Sequence, residues 1–109
     1  MKLDIWGYDL GYEDAHALAE GLASGSCPME LRLEIGYCNM RDKGAEALAV
    51  ALKSRNCPPG LWLELYGNNI GCKGAHVFAQ ALSSGYSPSG LALYLEKNGI
   101  GEEGALAFS

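Results

Sequence analysis

Cys72 and His76 stand four residues apart, a spacing that brings two side chains onto one face of a helix. A helix N-terminus lowers a thiol pKa, so the pair has the makings of a nucleophile and its base. No third group to orient the imidazole and no oxyanion site can be identified from sequence. An exposed, incidental pair is therefore the competing reading. His16 and His76 offer imidazole nitrogens to a metal, with Glu46 between them. They occupy equivalent positions two structural steps apart, and at about 10 Å per helix step they cannot share one ion. No metal site is expected, and no residue motif calls for a cofactor. Cys27 and Cys57 share a column near a turn. They read as small buried hydrophobes, although stacked turns can approach the 4.4–6.8 Å α-carbon separation that a disulfide needs.

The elements that must position these residues repeat every thirty positions. Leu3, Leu33, Leu63 and Leu93 coincide, as do Ile5, Ile35, Leu65 and Leu95. Leu10, Met40, Ile70 and Ile100 form a further column, and so do Ala15, Ala45, Ala75 and Ala105. Leu22, Leu52 and Leu82 follow, then Pro28, Pro58 and Pro88, then Leu31, Leu61 and Leu91. A fixed period in this range means stacked supersecondary units. The LxLxL segments at 31–35, 61–65 and 91–95 alternate with period two and predict short strands. Ala75, Phe78, Ala79 and Leu82 recur three and four apart and predict a helix face. Gly25 and Gly85 stand where a helix ends in a left-handed residue; Arg55 departs from this. One strand and one helix per unit imply parallel strands joined by right-handed crossovers. Strands pack about 4.8 Å apart and helices about 8–10 Å apart, so the stack must curve with the strands inside.

The chain has 109 residues and a formal net charge of −5, about one domain. Its eight Lys and Arg are scattered. Nucleic acid and anionic membrane both call for a basic surface, and neither is expected as a partner. No apolar run reaches the length of a membrane helix, and MKLDIWGYDL has no signal-peptide pattern. The four cysteines form no CxxC pair or zinc spacing. Reduced thiols in the cytoplasm are the expectation.

These columns resemble a leucine-rich repeat, specifically the ribonuclease-inhibitor-like subtype. The family pattern is LxxLxLxxNxL followed by a helical half that often reads IGxxGAxxLAxAL. LELYGNNIGCKGAHVFAQAL (63–82) follows it closely, while LEIGYCNMRDKGAEALAVAL (33–52) and LYLEKNGIGEEGALAF (93–108) follow it slightly less well. The resemblance spans essentially the whole chain. It implies an α/β solenoid of about three and a half repeats (3–32, 33–62, 63–92 and a partial 93–109), with a parallel sheet on the concave face and helices on the convex one. Asn68 and Asn98 fall on the family's asparagine position, where an amide satisfies backbone groups in the turn. Cys38 takes that position in the second unit and Tyr8 in the first, the latter a departure. The family's opening leucine falls at Gly60, whereas this chain has Leu61.

In this register the residues between the leucines face outward from the sheet. The columns are Lys2, Arg32, Trp62, Ala92; Asp4, Glu34, Glu64, Tyr94; and Trp6, Gly36, Tyr66, Glu96. Aromatics at Trp6, Trp62, Tyr66 and Tyr94 either anchor a protein partner or simply cover their strand neighbours. The inward columns hardly vary, while the outward ones change at every step, a pattern that favours a binding face. Asp4, Glu34 and Glu64 stack like charges, offset by Lys2 and Arg32; they read as a solvated face or as an acidic stripe for a basic partner. The expected contact residues are Trp6, Arg32, Glu34, Trp62, Glu64, Tyr66, Tyr94 and Glu96. The expectation is a protein-interaction module without catalytic activity. Two alternatives stand beside it: a GTPase-activating regulator, since one ribonuclease-inhibitor-like group activates the GTPase Ran, and self-assembly. The resemblance brings two settings, sensing arrays of innate immune receptors and bacterial effectors in a host cytosol. Met1 lies in a strand column and Ser109 in mid-helix, so the chain reads as a fragment of a longer array or as a homo-oligomer that buries its ends.

Overall fold

In a computed structural model that describes residues 1–99, the thirty-residue period becomes one strand and one helix per repeat. The order is β1 (Lys2–Trp6), α1 (Tyr12–Leu22), β2 (Arg32–Gly36), α2 (Arg41–Leu52), β3 (Trp62–Glu64), α3 (Cys72–Ser83) and β4 (Ala92–Tyr94). The strands form one parallel sheet in sequence order. Each residue pairs with the one thirty positions on: Leu3 with Leu33, Leu33 with Leu63, and Leu63 with Leu93. The Ile100 and Ala105 columns and the helical half of the last repeat lie outside the described residues.

The alternation of each strand decides what is buried. Leu33, Ile35, Leu61, Leu63 and Leu65 point to the helices and are essentially solvent-free, together with Leu48, Leu52, Ile70 and Phe78. Small residues let the helices come this close. A Cβ on Gly74 would stand 2.5 Å from Ile70 Cγ2 and 3.1 Å from the Cβ of Ala45 on the preceding helix.

Three members of the expected inward columns are exposed, Met1 at 78% among them. Leu3 is 46% exposed, because β1 is an edge strand with a neighbour on one side only. Leu82 is 39% exposed, against 2% for Leu22 and 0% for Leu52. No further helix among the described residues stacks on α3, so its buried stripe is Gly74, Ala75, Phe78 and Ala81.

The turns repeat as faithfully as the strands. After each helix Gly25, Arg55 and Gly85 all take positive φ, 81°, 71° and 83°. Arg55 thus keeps the backbone of the column despite its side chain, and its guanidinium lies 3.9 Å from the Tyr86 ring centroid. Before each strand Glu30, Gly60 and Gly90 are also left-handed. That turn delivers Leu31 and Leu61 into the core one position later than the family spacing implies.

The asparagine ladder joins one repeat to the next. Asn68 Oδ1 accepts from the backbone N–H of Cys38 (3.1 Å) and Met40 (3.3 Å), while its Nδ2 donates to the Ile35 (2.6 Å) and Tyr66 (3.2 Å) carbonyls. Asn98 repeats the arrangement on the N–H groups of Asn68 (2.8 Å) and Ile70 (3.0 Å). Cys38 substitutes half of the function: its thiol donates to the Ile5 and Gly36 carbonyls, each at 3.3 Å. Tyr8 is exposed and does not enter the ladder.

Candidate functional site

The face of the sheet away from the helices carries the alternate residues, and the mismatch between strand and helix spacing makes it the concave one. Its charges gather on Glu34. Lys2 Nζ lies 3.1 Å and Arg32 Nε 2.7 Å from Glu34 Oε2. The Lys2 hydrogen bond is the largest influence on this carboxyl. With the charges of Lys2 and Arg32 it outweighs desolvation and holds the pKa below the ordinary 4.5. The like-charge column is therefore relieved at its middle member, while Asp4 and Glu64 make no ion pair among the described residues.

Arg32 has a second contact. Its guanidinium carbon sits 4.1 Å from the Trp62 ring centroid, and Tyr94 packs on Trp62 at 4.8 Å with a 38° tilt. Trp62 is half-buried between them. Its indole N–H is buried with no acceptor among the described residues, a costly state for a donor.

Toward the C-terminal ends of the strands Trp6, Tyr37 and Tyr66 form a second aromatic group. Their centroids are 5.7, 5.9 and 5.4 Å apart, for Trp6–Tyr37, Trp6–Tyr66 and Tyr37–Tyr66 respectively. Glycine makes the seats. A Cβ on Gly36 would meet the Trp6 ring at 2.6 Å, and one on Gly67 would meet the Tyr37 ring at 2.6 Å. Trp6 is 48% and Tyr37 50% exposed. Lys97 Nζ stands 5.9 Å from the Tyr66 centroid, and Glu96 is exposed beside it.

Of the expected contact residues, the structure brings Arg32, Glu34, Trp62 and Tyr94 into one cluster and Trp6 and Tyr66 into another. Glu64 and Glu96 flank them without a described partner. Tyr37 escaped the sequence reading because it lies in a turn. The thirty-residue columns could have found it: it aligns with Gly7, Gly67 and Lys97, all left-handed, so a tyrosine there is an exception.

The other candidates scatter. Cys72 and His76 are both exposed, with no hydrogen bond between them among the described residues. His16 Nδ1 lies 2.9 Å from Glu20 Oε1 on its own helix. No group of three His, Cys, Asp or Glu among the described residues could hold a metal ion. All four cysteines are free thiols. Cys57 donates to the Ala51 carbonyl at 3.2 Å and Cys27 to that of Gly21 at 3.3 Å, each near a helix end. Burial chiefly, with Cys27 adding, pushes the Cys57 thiol up to about 11, against a small opposing effect of Ser54. On the convex side a groove of about 380 Å³ runs between α1 and α2, lined by Tyr12, His16, Glu46 and Val50 among others.

Residues 31–49 and 91–109 match a family model described as Leucine Rich repeat. The fold is that of a leucine-rich repeat protein. Both matched stretches begin on a leucine of the 31/61/91 column, and the first runs from the buried strand of β2 into α2. No curated protein matches the chain. The inward leucines form the core of this fold, and the two aromatic clusters lie on the opposite face of the sheet.

Proposed function

We propose that the chain is a non-enzymatic module that holds a protein partner against the concave face of its sheet. Leucine-rich repeats are in general protein-interaction modules. The observation that carries the reading is the contrast between the faces of the same strands. Along β2 and β3 the helix side is sealed leucine and isoleucine, whereas the open side of the sheet keeps Trp6 and Tyr37 half-exposed on glycine seats. Large aromatics and arginine are the side chains whose truncation most often costs 2 kcal/mol or more at an interface.

Four strands about 4.8 Å apart, each with roughly 10 Å of exposed length, give only about 200 Å². A standard interface buries about 800 Å² per partner. The turn residues beyond the strands, Tyr37 and Lys97, extend the surface at one end. The IGxxGA pattern of the helical halves supports the ribonuclease-inhibitor-like subtype.

The test is affinity capture with the wild-type chain and with a Trp62→Ala, Tyr66→Ala double variant, the captured proteins being identified and compared. Loss of a specific partner from the variant is the expected result. Equal capture by the two proteins rules out the concave face.

A further inference from the structure

We propose that the Trp6–Tyr37–Tyr66 pad receives an arginine side chain from an extended basic segment of the partner; this rests on reading the concave face as the interaction face. The three centroids are 5.4–5.9 Å apart, so the rings touch one another and leave no cage between them for a compact ammonium. The rings are inclined to one another by 41–75°, so what fits is a flat group stacked on one ring with its edge against a neighbour. A guanidinium is planar, weakly hydrated and stacks on aromatic faces, unlike the strongly hydrated lysine head.

The charge around the pad has the complementary sign. Asp4 precedes Trp6 and Glu64 precedes Tyr66 by one pleat, about 6.6 Å along the strand. Neither carboxylate forms an ion pair among the described residues, nor does Glu96. Three cations share the face, and Arg32 is held between Glu34 and the Trp62 ring. Lys2 is tied to Glu34, and Lys97 stands over Tyr66 at one rim. Counted with Glu34, four carboxylates on this face stand against Lys2, Arg32 and Lys97, a net charge of −1, and the three unpaired among the described residues are Asp4, Glu64 and Glu96. The chain itself uses the same geometry twice, with Arg32 on Trp62 at 4.1 Å and Arg55 on Tyr86 at 3.9 Å.

The test uses the full chain and a fluorescein-labelled peptide, Gly-Arg-Gly-Arg-Gly, followed by anisotropy. Its lysine and citrulline counterparts are the controls. The arginine peptide should bind about threefold to fivefold more tightly than the lysine peptide, and the uncharged citrulline peptide should bind least. Asp4→Asn with Glu64→Gln should weaken arginine-peptide binding severalfold. Trp6→Leu with Tyr37→Leu should abolish the preference for arginine over lysine, far-UV circular dichroism confirming that both variants fold. Equal binding of the arginine and lysine peptides overturns the proposal, and so does a preference that survives loss of the rings. If capture of a partner still depends on Trp62 and Tyr66 while the two peptides bind alike, only the arginine assignment falls. If capture is indifferent to those residues, the concave-face reading falls with it.

Discussion

Glu34 shows how one side chain on the open face can be tied to stability. Two cations converge on a single carboxylate oxygen, and the charged form is favoured in the folded state. A lowered folded pKa means stability that is present above the ordinary value of 4.5 and is lost as pH falls through the lower folded value. Glu34→Gln should therefore flatten the acid limb of a plot of urea midpoint against pH while leaving its alkaline limb alone. Trp62 makes the opposite case. Its N–H is buried without an acceptor among the described residues, so Trp62→Phe should be neutral or stabilising by up to about 1 kcal/mol in urea denaturation. Trp62→Ala should destabilise, because Arg32 and Tyr94 lose the ring they share. Gly36 matters for position rather than stability. In Gly36→Ala the new methyl must displace the Trp6 ring, and the altered tryptophan emission should come with little change in the unfolding midpoint.

At the scale of elements, the joints between repeats are polar groups reaching across from a neighbour. Helix α3 begins at Cys72, and its N-cap Gly71 has no side chain to cap it. Asp42 on the preceding helix supplies the acceptor: its Oδ1 takes the N–H groups of Gly71 at 2.7 Å and Gly74 at 3.0 Å. A carboxylate there also meets the positive end of the helix. Asp42→Ala should cost about 1–2 kcal/mol, as loss of a cap usually does, and Asp42→Asn should recover part of it. Asn68 binds four backbone groups across two turns. Truncating it leaves buried amides unpaired, so Asn68→Ala should cost about 2–4 kcal/mol. The two variants differ in what they loosen. Amide exchange should accelerate at the start of α3 for Asp42→Ala, and through the turns after β2 and β3 for Asn68→Ala.

Over the whole molecule, the thiols report how the stack opens. Cys38 and Cys57 are buried and Cys72 is exposed. With a thiol reagent at pH 8, Cys72 should react at once. Cys57, buried and with a pKa raised to about 11, should wait for an opening of the fold. Its raised pKa also carries a sign. The folded state holds the proton more tightly, so this contribution is complete below the ordinary value of 9.0 and is lost as pH rises toward about 11.

The repeat, the strand and helix of each unit and the leucine core could all be read from sequence, because a period of thirty with strict inward alternation leaves one face to bury. The ladder positions of Asn68 and Asn98 were legible through the resemblance to the leucine-rich repeat pattern, and the hydrogen bonds lie there. Leu3 and Leu82 looked the same as their column mates, and only the stack shows that each has a neighbouring repeat on one side alone among the described residues. The packing of Tyr37 on Trp6 and Tyr66, the Asp42 cap and the meeting of Lys2 and Arg32 on one oxygen of Glu34 became visible only in three dimensions. Each includes a contact between residues about thirty positions apart across a repeat boundary, with rotamers and distances that no one-dimensional pattern encodes. The sequence determined the coil and which side of each strand is open. The tertiary structure decided how the side chains on that open side group into a charged knot, a stacked tryptophan and a three-ring pad, because packing between neighbouring repeats sets those contacts.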